Sequence, residues 1–135
     1  MTDPDLVAKK LALIETCVAD LRRLARVDAL GDDVREERFI EHTLQIAIQA
    51  AIDVASHLVS DSRLGEPRTN RELFDLLERA GILATALAAT LRRMVGFRNV
   101  VVHGYDTVDL AIVRDVVENR LDDLLVFVAA VRARL

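Results

Sequence analysis

Cysteine occurs once in the 135 residues, at Cys17, which excludes an intrachain disulfide and any zinc cluster built on thiolates. The spacing around Cys17 is helical, and it reads as a reduced, buried thiol. Tryptophan is absent and all aromatics together reach 4%, so the core must be built from aliphatic side chains. Proline (2) and glycine (5) are scarce, which leaves few chain breaks and favours long helices joined by short turns. There is no long apolar run either. The longest, Leu124–Val131, is far too short to cross a bilayer. The opening MTDPDLVAKK has neither the basic segment nor the apolar stretch of a signal peptide. These absences predict a cytoplasmic protein with no membrane association.

What is present is apolar and charged in nearly ordinary proportion, 52% and 30%, which excludes disorder. The length fits one domain over residues 1–135 with a single core. A helical bundle of this size has more apolar residues than one core needs, so part of the excess is expected to be buried against a second copy, as a homodimer. The net charge of −4 is unevenly spread. Residues 1–62 carry 7 basic and 12 acidic side chains, residues 63–103 carry 7 and 4, and residues 104–135 carry 4 and 6. An acidic protein with one locally basic segment does not coat nucleic acid indiscriminately, yet it can hold a phosphate at one place. On charge alone, a solvated surface is the better account of that segment.

The pattern predicts an all-α, up-down bundle of four or five helices. Thr2 or Asp3 caps the first, with Pro4 where a missing N–H is tolerated. Leu6, Val7, Leu11, Ile14, Val18, Leu21 and Leu24 keep helical spacing to about Leu30, where Gly31 stops it. Asp32 or Asp33 opens the second helix, which runs to about Leu58–Ser60. It is apolar nearly all round in its second half, as a central helix should be. Residues 61–69 form the one clear loop. Thr69 and Glu72 make a capping-box pattern for a short third helix, Asn70–Arg79, ended by Gly81. A fourth runs from about Ala84 to His103, with Gly104 suited to the left-handed position beyond it. Asp106 or Thr107 caps the last. The β-branched run from Asn99 to His103 is compatible with a strand, but the alanine-rich stretch before it is not, and a lone strand would lack a partner.

Polar groups able to act on a phosphodiester concentrate in Phe97-Arg-Asn-Val-Val-Val-His-Gly-Tyr105, three of them inside an apolar run at a helix end. Asn99 and His103 are four apart and share a face. Arg98 lies about 140° from His103 on an ideal helix, so the pair converges only if the arginine stem curls back or a symmetric partner supplies a second copy. Cleaving RNA without a metal requires a base for the ribose 2′-hydroxyl and an acid for the leaving 5′-oxygen. Histidine serves either role, and the arginine fork matches charge building on phosphoryl oxygens. At a helix C-terminus, His103 is biased toward its protonated form. Asn99 can fix the imidazole tautomer and Tyr105 can position phosphate or base. An arginine and a histidine at this spacing are common, however, and a capping histidine fits the residues alone as well.

The string Arg98-Asn99-x-x-x-His103-x-Tyr105 resembles the R-N-x3-H-x-Y signature of the HepT-like HEPN proteins, toxins encoded beside a minimal nucleotidyltransferase antitoxin. Leu44–Leu58 (LQIAIQAAIDVASHL), the phrase from Glu72 to Ile82, Met94-Val-Gly-Phe97, and Asp106-x-x-Asp109 extend the likeness to roughly residues 36–128. The resemblance implies a HEPN-like helical homodimer acting on RNA without metal or other cofactor. It makes Arg98 and His103 the catalytic pair, Asn99 their polar companion, and Tyr105 the residue to which the antitoxin transfers AMP. Such an adduct adds charge and bulk beside Arg98 and excludes RNA. The alternative it leaves open is a catalytically inert binding or scaffold subunit for a nucleotidyltransferase.

Other residues carry weaker signals. The stripe Gln45, Gln49, Asp53 and Ser56 or His57 either floors an RNA cleft, with Asp53 pairing Arg98 at rest, or forms an internal hydrogen-bond network. Arg92 and Arg93 suit RNA backbone contact and an ion-pairing surface about equally. His42 and His57 lack metal-ligand spacing.

Overall fold

A computed structural model describes residues 3–103 and 109–135, with 100–103 as helix backbone only. The order is α1 (Pro4–Leu24), a 3-10 turn (Val27–Ala29), α2 (Val34–Asp61), α3 (Asn70–Arg79), α4 (Thr85–His103), α5 (Leu110–Asp115), a π turn (Val116–Arg120) and α6 (Leu121–Arg132). No strand occurs among the described residues. The all-α expectation therefore holds, and the β-branched residues before His103 are helical.

Each cap has a local cause. Asp3 accepts from the N–H groups of Asp5 and Leu6, with Pro4 just inside the helix. Asp33, not Asp32, caps α2 by accepting from the Arg35 N–H. Thr69 caps α3 and accepts from the Glu72 N–H, while Glu72 reaches back to the N–H of Arg68, one residue beyond the usual capping-box partner. Gly81, which ends α3 as the pattern indicates, takes φ 75°, a left-handed turn.

Two boundaries depart from the sequence pattern. Helix α1 stops at Leu24 rather than near Leu30. The first turn of α2 intervenes: Glu36 accepts from the Arg26 N–H at 2.5 Å and Glu37 from the Gly31 N–H at 2.8 Å, which pins the connection in a non-helical path. Gly31 sits at φ 93°, where a side chain would be strained. At the other end, the predicted caps Asp106 and Thr107 lie outside the described residues. The cap seen is Asp109, accepting from Ala111 N–H. The final helix is also interrupted, since five residues adopt π geometry between α5 and α6.

Helix α2 packs against α1, α3 and α4, while α6 packs against α1 and α4. That places α2 at the centre, as its apolar second half predicts. Its Ala47, Ala50, Ala51 and Ala55 are buried and let neighbouring backbones approach. The aliphatic core is joined by one aromatic contact, Phe74 of α3 edge-on to Phe127 of α6 at 6.3 Å. Along α4 the core face runs through Leu87, Leu91, Met94 and Val95. No helix among the described residues is long and apolar enough to cross a membrane.

Candidate active site

The core stripe of α4 does not end in a hydrophobe. Seven residues after Leu91 and four after Met94, the same face presents Arg98, so a guanidinium occupies a core register position at the end of the bundle. Its side chain is half-buried. Nη1 donates to Asn99 Oδ1 at 3.2 Å, while Nε is buried with no hydrogen-bond partner among the described residues. No carboxylate pairs with it there either. Burying an N–H of a cation without an acceptor is costly, and native structures rarely tolerate it without a reason. An anion delivered from outside, with oxygens for both Nε and Nη, resolves that imbalance.

The contact to Asn99 bears on the angular gap between Arg98 and His103. Arg98 and His103 point about 140° apart on an ideal helix. By folding onto Asn99, which shares a face with His103, the guanidinium turns toward the histidine's side of α4. His103 is the last residue of α4. Its side chain, and Tyr105 with the expected left-handed Gly104, lie outside the described residues.

The supporting residues fall elsewhere. The Asp53–Arg98 pair does not form. Asp53 is held by Lys10 of α1 at 3.1 Å and by Gln49 Nε2 at 2.9 Å, because α2 turns that face toward α1. The stripe is therefore in part an internal network, although Gln49 Oε1 remains buried and unpartnered among the described residues. His57 lies half-buried beside it and His42 is exposed, and no group of acidic, histidine or cysteine side chains suited to a metal occurs among the described residues. Arg92 is not a free cation. Its Nη1 donates to Asp75 at 3.0 Å and to Glu78 at 2.9 Å on α3, and this bond is the leading cause holding the Glu78 carboxyl below its ordinary range. Arg93 is exposed.

Two residues escaped the sequence reading. The Arg71 guanidinium, from the first turn of α3, lies across Gly96 of α4 so closely that a Cβ there would collide with Nη2. Glycine inside a helix costs about 0.5–1 kcal/mol relative to alanine, and close approach by a neighbour is the usual compensation. An isolated glycine in a helical pattern was the signal for this pair.

With this geometry in view, the comparisons with known proteins are informative. The ribonuclease HepT-like family model matches residues 14–131, reaching further into α1 than the motif-bearing stretch at 36–128. The chain belongs to the ribonuclease HepT-like family. It is 31% identical over 133 residues to the mRNA nuclease HepT of Shewanella oneidensis, covering 96% of this chain and 98% of that one. It is also 31% identical over 109 residues to the tRNA nuclease HepT of Aphanizomenon flos-aquae, covering 79% and 74%. Among solved structures, a tri-AMPylated HEPN toxin of Shewanella oneidensis in complex with MNT antitoxin superposes with a TM-score of 0.91 at 30% identity, covering 97% and 99%. This HepT-like chain therefore has the helical fold of the HEPN toxins over nearly its whole length.

Proposed function

We propose that this HepT-like chain is a metal-independent endoribonuclease, a single HEPN-like domain working as a cytoplasmic homodimer, and the toxin partner of a minimal nucleotidyltransferase antitoxin. The observation that carries this reading is Arg98: a cation set in a core position, with no carboxylate and no acceptor for its Nε among the described residues. In the proposed reaction Arg98 binds the non-bridging oxygens of the scissile phosphate and stabilises the charge that grows on them. Asn99 holds the guanidinium in place. His103 handles the protons. The 2′-oxygen loses its proton and attacks phosphorus, the P–O5′ bond breaks, and the 5′-oxygen leaves protonated. The products are a 2′,3′-cyclic phosphate and a 5′-hydroxyl. In the proposed homodimer a second copy packs on this chain and brings another Arg98 and His103. The AMPylated Shewanella toxin supports Tyr105 as the acceptor of AMP, whose phosphate charge next to Arg98 opposes RNA binding.

The test is cleavage of an oligoribonucleotide in the presence of a chelator by wild type, Arg98→Ala and His103→Ala. Wild type should cleave, and each variant should lose at least about a hundredfold in rate while keeping its oligomeric mass. Equal activity in all three would overturn the assignment. Absence of cleavage throughout, with the substitutions altering antitoxin binding, would favour the inert subunit instead.

A further inference from the structure

We infer that Arg71 and Arg93 form a second phosphate cradle on α4, which grips the single-stranded RNA substrate away from the scissile bond. The inference rests on the nuclease reading above and extends it to how substrate is held. Arg71, Arg92 and Arg93 with Ala89 line an open depression of about 380 Å³ between α3 and α4. Three guanidiniums meet two carboxylates there, and both carboxylates, Asp75 and Glu78, are taken up by Arg92. Arg71 and Arg93 have no hydrogen bond or ion pair among the described residues, so two cations flank a neutralised one. Arg71 is exposed, and the tip of its side chain lies over Gly96, where a Cβ would push the guanidinium aside. Gly96 also fixes the cradle relative to the catalytic residues. His103 lies seven residues on, which returns to the same stripe of α4 within about 20° and about 10 Å along the axis. A strand whose phosphate sits at His103 can therefore follow this stripe to Arg71 beside Gly96, with Arg93 about 60° further round the helix and Arg98 reaching the strand from the core side. The fork of two arginines suits phosphate oxygens, and successive phosphates of one strand supply the multiple anions that such a track needs.

The cradle predicts a split in the kinetics. For Arg71→Ala/Arg93→Ala acting on an oligoribonucleotide longer than the helix face, KM should rise about tenfold with kcat nearly unchanged, and the dependence of log kcat/KM on log salt should become shallower by about 0.7 per arginine removed. Gly96→Ala keeps every charge and favours the helix, yet its methyl displaces the Arg71 guanidinium, so it should raise KM in the same direction. Arg79→Ala, at the far end of α3, removes an exposed cation outside the depression and should change neither quantity. Anisotropy of a labelled RNA, read in parallel, separates this inference from the nuclease assignment. If wild type cleaves but the double variant keeps its KM, affinity and salt slope, the cradle is wrong and the nuclease stands. If wild type does not cleave yet loses RNA affinity with Arg71 and Arg93, the cradle stands and the nuclease falls. RNA binding that is absent, or indifferent to all three substitutions, overturns the cradle.

Discussion

The seam between α1 and α6 and the region where α4 meets α3 use arginine in opposite ways. Along the seam each bridging arginine has a carboxylate: Arg22 meets Asp122, and Arg132 makes two bonds to Glu15 at 2.8 and 2.5 Å. Nearby, Arg114 ties the α1–α2 connection to α5 through Asp28 at 2.5 Å and also engages Glu118. These pairs are solvent-facing, and all but Arg114–Glu118 link elements far apart in sequence. On α4 only Arg92 is treated this way. Arg93 and Arg98 there, and Arg71 from neighbouring α3, have no ion pair among the described residues, and Arg98 is the most enclosed of them. Charges that are neutralised within the chain hold helices in register, whereas charges left open at one end of the bundle are available to an anion from outside.

That contrast can be broken most severely at Arg98. Replacing it with leucine completes the core stripe of Leu87, Leu91, Met94 and Val95 and removes a buried Nε that has no partner among the described residues. Arg98→Leu should raise the melting temperature while cleavage falls by at least about a hundredfold, the trade expected where a functional group is kept against stability. A parallel loss of both would mean that Arg98 is structural. A smaller effect is expected at Arg92, whose bonds to Asp75 and Glu78 join α3 to α4. Arg92→Ala should lower the melting temperature by a few degrees, read by circular dichroism, because two half-buried carboxylates lose their partner.

The smallest effect lies on the seam. The hydrogen bond from Arg132 holds the Glu15 carboxyl below its usual range. A carboxylate with a depressed folded pKa contributes stability above its unfolded pKa, and that contribution disappears as pH falls through the folded value. Melts from about pH 7 to about pH 3 should show wild type losing this increment on acidification, and Glu15→Gln should flatten that part of the curve. High salt should shrink the difference, since the pair is exposed.

Much of this architecture was legible in the residues. The aliphatic periodicity of α2, the cap at Thr69, and the helix carrying Arg98 and His103 all follow from local chemistry, while the caps at Asp3 and Asp33 were each narrowed to one of two neighbouring residues. The end of α1 was not, because Glu36 and Glu37 act on it from the next helix and the pattern of α1 alone continues past Leu24. The π turn at Val116–Arg120 left no mark in the spacing either. In the site, the residue types at Arg98, Asn99 and His103 were readable, but the partner of Asp53 was not. Helical periodicity places Asp53 on a face without saying that α1 brings Lys10 to it. The same limit hid Arg71, whose meaning comes only from lying across Gly96.

The central claim, that Arg98 and His103 act on one phosphate, is tested most directly by a double-mutant cycle. Single-turnover cleavage of one oligoribonucleotide would be measured for Arg98→Ala, His103→Ala and the combined variant. Groups serving the same phosphate act as a unit, so the combined variant should be scarcely slower than the worse single one. Losses that multiply independently would contradict the account.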